Sequence, residues 1–351
     1  MIKYILAVFI FSVILFLYLH INYHLKCSND LEVYTIDAPS KETLEEICNI
    51  RQPVVFDFFN ENLMNECNIE NLETEYGAFD VNLRDNNNND KNTEQYLPFL
   101  LKEALTIFRE GESKKYFSEK NQDFLIETGL IKKMQYNDAF LRPPMVSKCE
   151  YDILCGEVGV KTPLRYHLNY RNYYYVTSGE INIKLVPPSK TKYLYEHKDY
   201  DNYEFSSPLD LWEIQDQYKN NFDKIKVLDL TLKPGQIVYI PAYWWYTVKF
   251  TTFSSVCKFS YRTFMSSIAN SPDLVMKLLQ QQNVKRDMFE KVVNEKVAEN
   301  TVWLYNEEEE EEEDNNSYNG NSSYNNNNNN SYYNNNNNSS GFLGYQMQVC
   351  R

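Results

Sequence analysis

Histidine is scarce in this chain. There are four among 351 residues: His20, His24, His167 and His197. The first two flank an apolar run, which leaves His167 and His197 for any folded region. A metal centre built mainly on imidazole is thereby constrained from the outset. No CxxC pair occurs among the seven dispersed cysteines, which argues against a structural zinc site. Seven is also odd, so intrachain disulfides leave at least one thiol over, and the pattern reads as a reducing environment. Clustered Lys and Arg are lacking too. The net charge is -14, which excludes the basic footprint of a nucleic-acid binder. Part of that charge is one run of eight acids, Glu307–Asp314.

Long hydrophobic runs are absent except one, Tyr4–Leu19. It is uncharged and near the lower length for crossing a bilayer. No small-x-small cleavage site follows it, so an uncleaved anchor is expected rather than a signal peptide. Lys3 and Lys26 flank both ends, and the positive-inside rule does not choose an orientation. The lipid bilayer is the partner this segment implies, with single-pass membrane localisation.

What is present is aromatic and apolar: 15% aromatic and 43% hydrophobic residues, enough for a sizeable core. Ser40 reads as an N-cap before a short helix, and Val54–Phe59 as a buried strand. Asp85–Asp90 is a polar break. Tyr96–Arg109 carries helical spacing at Leu97, Leu101, Leu105 and Phe108. From Tyr151 to Phe264 the pattern changes to strands. Ile181, Ile183 and Leu185 alternate with Asn182 and Lys184, and Val227–Leu232 alternates similarly. Lys233–Gln236 is a turn, with strands expected at Ile237–Ile240 and Val256–Tyr261. Ser271-Pro272 opens a helix, with Ser271 as cap and Leu274, Val275, Leu278 and Leu279 on one face. Beyond Tyr305 the Glu run and the Asn/Ser/Tyr repeats hold too little apolar surface to fold, and a disordered tail is expected. The sequons at Asn315, Asn321 and Asn338 arise by chance in such a tract.

Two segments carry a resemblance. TPLRYHLNYRNYYYVTSGEINIKLVPP (Thr162–Pro188) and LKPGQIVYIPAYWWYTVKF (Leu232–Phe250) resemble the JmjC or cupin-like family of iron- and 2-oxoglutarate-dependent oxygenases. The resemblance spans about Leu31–Phe264. It implies a mainly β fold, a double-stranded β-helix (cupin or jelly roll) with flanking α-helices. To this the sequence adds an N-terminal transmembrane helix and the disordered tail. The expected domains are an anchor over 1–26, a flanking region over 31–140 and a cupin core over 141–266. A helical segment over 267–305 and a tail over 306–351 follow. Poly-Asn tracts with an N-terminal anchor also resemble versions of this domain in giant DNA viruses.

The family's chemistry uses two His and one carboxylate on one face of an iron ion. By the resemblance the first His falls on Arg165, the carboxylate on His167 and the distal His on Tyr246. Arg165 offers no lone pair and brings a cation. Counting back from Asn172 instead gives Tyr166 and Leu168, which ligate no better. A rebuilt site from His167, His197, Asp199 or Asp201 is the remaining metal option. The cosubstrate cation falls on Ile181, and Lys184 is expected on the opposite face. Asn172, Tyr174, Trp244 and Trp245 are candidate pocket residues, against the simpler reading of aromatic core packing. Arg165 with Tyr246 suggests a small anion-friendly site.

These readings lead to a membrane-anchored, catalytically inactive domain used in binding or scaffolding, with no cofactor, an unknown protein partner and no nucleic acid. One alternative is an active Fe(II)/2-oxoglutarate hydroxylase or demethylase with a non-standard ligand set. Another is a structural membrane protein of a virion.

Overall fold

The computed structural model describes residues 1–86, 96–110 and 114–287. Most of the Asn-rich break and the acidic tail lie outside the described residues. Met1–Gln281 belongs to one compact unit.

An apolar helix, α1 (Ile2–Leu25), opens the chain. A mixed region follows: β1 (Tyr34–Ile36), α2 (Lys41–Ile50), β2 (Val54–Asp57), α3 (Glu61–Glu66), α4 (Ile69–Tyr76), β3 (Asp80–Asp85), β4 (Leu97–Leu100), α5 (Leu101–Glu110), β5 (Tyr116–Ser118), α6 (Gln122–Glu127) and α7 (Leu130–Asn137). Strands then dominate: β6 (Val146–Gly156), β7 (Leu164–Tyr166), β8 (Arg171–Ser178), β9 (Ile181–Val186), β10 (His197–Asp199) and β11 (Glu204–Ser207). A helical turn, α8 (Lys219–Phe222), precedes β12 (Leu228–Leu232), β13 (Gln236–Pro241), β14 (Trp245–Phe250) and β15 (Ser254–Thr263). The helices α9 (Phe264–Ala269) and α10 (Ser271–Asp287) end the described chain.

The strands make two sheets, ordered β1-β2-β13-β8-β15-β6-β5-β3-β4 and β10-β11-β7-β14-β9-β12. Strand alternation sorts the side chains into three layers. Between the sheets lie Tyr174 and Val176 of β8, Val238 and Ile240 of β13, Ile181, Ile183 and Leu185 of β9, and Tyr246, Val248 and Phe250 of β14. On the far face of the first sheet, Tyr173, Tyr175, Tyr239 and Phe259 pack against Leu44, Leu105 and Phe124 of the N-terminal helices. On the far face of the second, Leu164, Tyr166 and Trp245 pack against Leu209 and Leu211. Cys48, Cys67, Cys155 and Cys257 are buried free thiols.

Two glycine turns set the strand connections. Gly179, at φ 72°, joins β8 to β9, and a Cβ there would sit 2.3 Å from the Phe253 carbonyl oxygen. Gly235, at φ 88°, completes the Lys233–Gln236 turn. Both conformations favour glycine because it lacks the Cβ.

The helix expected from Tyr96 begins only at Leu101. Leu97–Leu100 instead pairs with Asp80–Leu83 at the sheet edge. Pro98 lacks an N–H and biases Leu97 toward extended backbone, both compatible with an edge strand. Ser40 caps α2 as expected, accepting from Thr43 N at 3.2 Å. Ser271 lies within α10 rather than before it, and Val275, Leu278 and Leu279 are exposed.

The end of α1 is fastened to the body of the fold. Arg51, in the left-handed conformation after α2, donates to the Tyr23 carbonyl and to the Lys26 carbonyl (2.7 Å). Its guanidinium stacks 4.0 Å from the Tyr23 ring centroid. Helix C-terminal carbonyls lack partners within the helix and carry partial negative charge, so a cation stabilises them.

Candidate functional site

Each of the three triad positions lies on a strand or strand end facing the interior between the sheets. β7 and β14 are neighbours, and Arg165 stands directly opposite Tyr246. His167 follows β7. Its carbonyl accepts from Tyr243 N at 2.9 Å, which ties the β13–β14 turn to it. Tyr243 itself is left-handed, with φ 65°, and this bend sets up the alternation of the next residues. Trp244 and Tyr246 thus face inward, and Trp245 outward. Leu164, Tyr166 and Leu168 pack in the outer cluster, so the register that counts forward from Thr162 is the one facing the interior.

The three side chains converge. Arg165 Nε donates to Tyr246 Oη at 3.2 Å, and Tyr246 Oη lies 2.5 Å from His167 Nε2. Tyr174 Oη donates to Tyr246 Oη at 2.7 Å. A phenol has one proton to donate and two acceptor lone pairs. Tyr246 gives its proton to His167 and accepts from Arg165 and Tyr174, which saturates it. The His167 Nε2 lone pair also receives Lys258 Nζ at 3.1 Å. Burial, then the Lys258 and Arg165 charges, hold the His167 imidazole well below its usual pKa, so the ring is neutral.

Arg165 is 3% exposed and forms a fork with Glu119, also 3% exposed: Nη1 to Oε1 is 2.8 Å, and Nη2 meets Oε2. Glu119 further accepts from Arg84 Nη1 at 3.0 Å and Tyr96 Oη at 2.9 Å. Arg84 in turn pairs with Glu204 at 3.1 Å, and Lys120 stands 3.6 Å from Glu204. Burial alone would raise the Glu119 carboxyl. The Arg165, Arg84 and Lys120 charges outweigh it and hold Glu119 well below the usual carboxylate range. Bidentate guanidinium–carboxylate pairs of this kind are the stronger charge-assisted hydrogen bonds. The anion that Arg165 was expected to attract from outside is supplied by the chain itself.

An iron ion does not fit this donor set. Arg165 is a fixed cation, Tyr246 has no free lone pair, and the His167 nitrogen at the centre already holds two donors. Among the described residues, no three His, Cys, Asp or Glu side chains group so as to hold a metal ion. His197 is exposed on β10, and Asp199 accepts from the backbone of Asp201 (2.9 Å) and Asn202 (3.2 Å) within its own turn. At the cosubstrate position Ile181 is buried apolar core, and Lys184 points outward over the Trp212 ring at 4.5 Å.

The four candidate pocket residues divide. Tyr174 joins the Tyr246 network. Asn172 stitches strands, accepting from Ser260 Oγ at 3.0 Å and donating to the Ile240 carbonyl at 3.3 Å. Trp244 is buried in the interior, and its indole N–H has no partner among the described residues. Trp245 is not an interior residue. It packs on Tyr166, with centroids 4.7 Å apart, and donates to Thr191 Oγ1 at 2.8 Å. A groove of about 1070 Å³ abuts the Arg84–Glu204 end of this network and is also lined by Lys161, His197 and Asp210, but not by Arg165, His167 or Tyr246.

Glu119, Arg84, Glu204 and Lys258 were not among the sequence candidates. Lys258 had a signal: it alternates with buried Cys257 and Phe259 on β15, which puts it on the inner face. Glu119 had none, since it follows a three-residue strand far from the motif segments.

Two apposed sheets closing on a shared interior, with flanking helices, define a cupin-type double-stranded β-helix. Residues 39–267 match the family model described as the cupin-like domain, and the chain belongs to that family. No curated protein matches its sequence.

Proposed function

We propose that this chain is a membrane-tethered cupin-like protein in which the oxygenase site has been replaced by an internal polar network, leaving a domain for binding or scaffolding. The observation that carries this reading is the Arg165–Glu119 fork. It puts a neutralised guanidinium where the family has its first ligand, with saturated Tyr246 at the distal one. An active hydroxylase would need ligand atoms that the interior commits to other bonds. The tether is supported by α1, 24 residues with a mean hydropathy of 2.5 over its most apolar window and no buried residue in that window. The resemblance to anchored cupins of giant DNA viruses favours a viral setting for the same architecture.

The test is turnover. Full-length protein in detergent, supplied with Fe(II), ascorbate and 2-oxoglutarate, is expected to release no succinate above a protein-free control. Succinate release that scales with protein and is abolished by a chelator would overturn the reading.

A further inference from the structure

The membrane helix does not stand clear of the fold. α1 packs against α9, the short helix that follows β15. The residues of α1 that lose exposure are Leu17, His20, Ile21, Asn22 and His24, all in its C-terminal half. Leu17, Ile21 and His24 share one stripe by their spacing.

Length makes this contact informative. Lys3 and the amino terminus are charged and must sit among headgroups, because a charge in the hydrocarbon is costly. From Tyr4, a hydrocarbon layer of about 30 Å takes about 20 helical residues at 1.5 Å each, which reaches Tyr23. The wholly exposed part, Tyr4–Phe16, covers only about 20 Å. Over the remaining depth α1 begins to lose exposure, and α9 is a helix packed against it.

α9 is dressed for that depth. Its outer positions, Phe264 and Ile268, lie four residues apart on one face and are 55% and 43% exposed. Met145 joins them: its carbonyl accepts from Phe264 N at 3.3 Å, and its side chain is 73% exposed. The polar edge of α9 is turned inward, where Thr263 and Ser266 close a capping box. Exposed apolar side chains continuous with a membrane span mark a lipid-facing surface.

We infer that α9 and Met145 form a second membrane contact, in which Phe264, Ile268 and Met145 enter the acyl region beside the domain-proximal end of α1. The inference rests on the proposed membrane tether. The cupin body then sits flush on the bilayer with a fixed face toward it, rather than swinging from a linker.

The test uses the full-length chain in phosphatidylcholine vesicles containing a lipid with a photoactivatable diazirine on its acyl chain. Crosslinked peptides are mapped by mass spectrometry. Two apolar residues more exposed than any of the three serve as controls: Phe59, beside the Gly235 turn, and Tyr136, on α7, each 85% exposed. Crosslinks in α1 and in Phe264–Ile268 or at Met145, with none at Phe59 or Tyr136, are expected. A Phe264→Glu/Ile268→Glu variant should lose the α9 crosslinks and keep those in α1. Crosslinks in α1 with none in α9 or at Met145 would overturn the inference while the tether stands, and would mean that the bilayer thins around a short span. Equal crosslinking at Phe59 and Tyr136 would overturn it as non-specific adsorption. No crosslinks in α1 would remove the tether itself.

Discussion

Arg165 and Glu119 hold each other in place at the cost of desolvating both. Removing Glu119 leaves Arg165 charged and buried without a counter-ion, which costs about 3–5 kcal/mol, whereas removing Arg165 leaves Glu119 still paired with Arg84 at 3.0 Å. Glu119→Leu alone should therefore destabilise the fold by that order in chemical denaturation, and Arg165→Met alone by less. The double variant should recover most of the loss, because an apolar pair of similar volume can replace a buried ion pair. Losses that simply add would show that the two do not act as a pair. His167 contributes a pH signature. Its folded pKa lies well below the ordinary value near 6.5, so as pH falls through 6.5 the unfolded chain takes up a proton that the folded chain refuses. Stability should therefore decline from pH 7 to pH 5, by at most about 1.4 kcal/mol per pH unit from this group. Glu119 acts lower: its depressed pKa gives stability present above the unfolded value near 4.3 and lost as pH falls further. His167→Gln should flatten the decline between pH 7 and pH 5 relative to the parent. An unchanged slope would assign it to other groups.

At the scale of elements, the two turn glycines differ in a measurable way. A methyl at Gly235 meets nothing closer than 3.7 Å, so Gly235→Ala should cost only the left-handed backbone preference, about 1–2 kcal/mol. Gly179→Ala adds a clash with backbone at 2.3 Å and should cost distinctly more in the same denaturation assay. The Lys233–Gln236 turn was legible in the sequence, as was β9, because alternation and Pro-Gly chemistry are local; the Gly179 turn was not read there. Nor was β4. The apolar spacing from Leu97 to Phe108 mimics one helix, and only pairing with β3 breaks it in two. The site was half legible for the same reason. Arg165, His167 and Tyr246 stand at fixed offsets from strand and turn signals. Glu119 reaches Arg165 across 46 residues and leaves no local mark. Trp245 was placed on the wrong side because a Trp-Trp pair on a strand must split between faces, and only the bend at Tyr243 decides which one turns inward.

For the molecule as a whole, the chain keeps the family fold, and the proposed reading is that the family chemistry has been lost from it. The sheets, the Pro-Gly turn and the inward β7–β14 pairing remain, while the triad positions they carry are joined in a hydrogen-bond network around Tyr246. Such a network fixes one arrangement of strands around it, since each member is satisfied only in that geometry. On the proposed reading, a barrel fastened to α1 through Arg51 serves presentation of an outer surface rather than turnover within. The most direct test is metal binding itself, read with Mn(II) as a spectroscopic stand-in for Fe(II). Full-length protein titrated with Mn(II) in the presence of 2-oxoglutarate should leave the free-ion paramagnetic resonance signal undiminished. Loss of that signal to an endpoint of one Mn(II) per chain, displaced by Fe(II) and abolished by His167→Gln, would contradict the account.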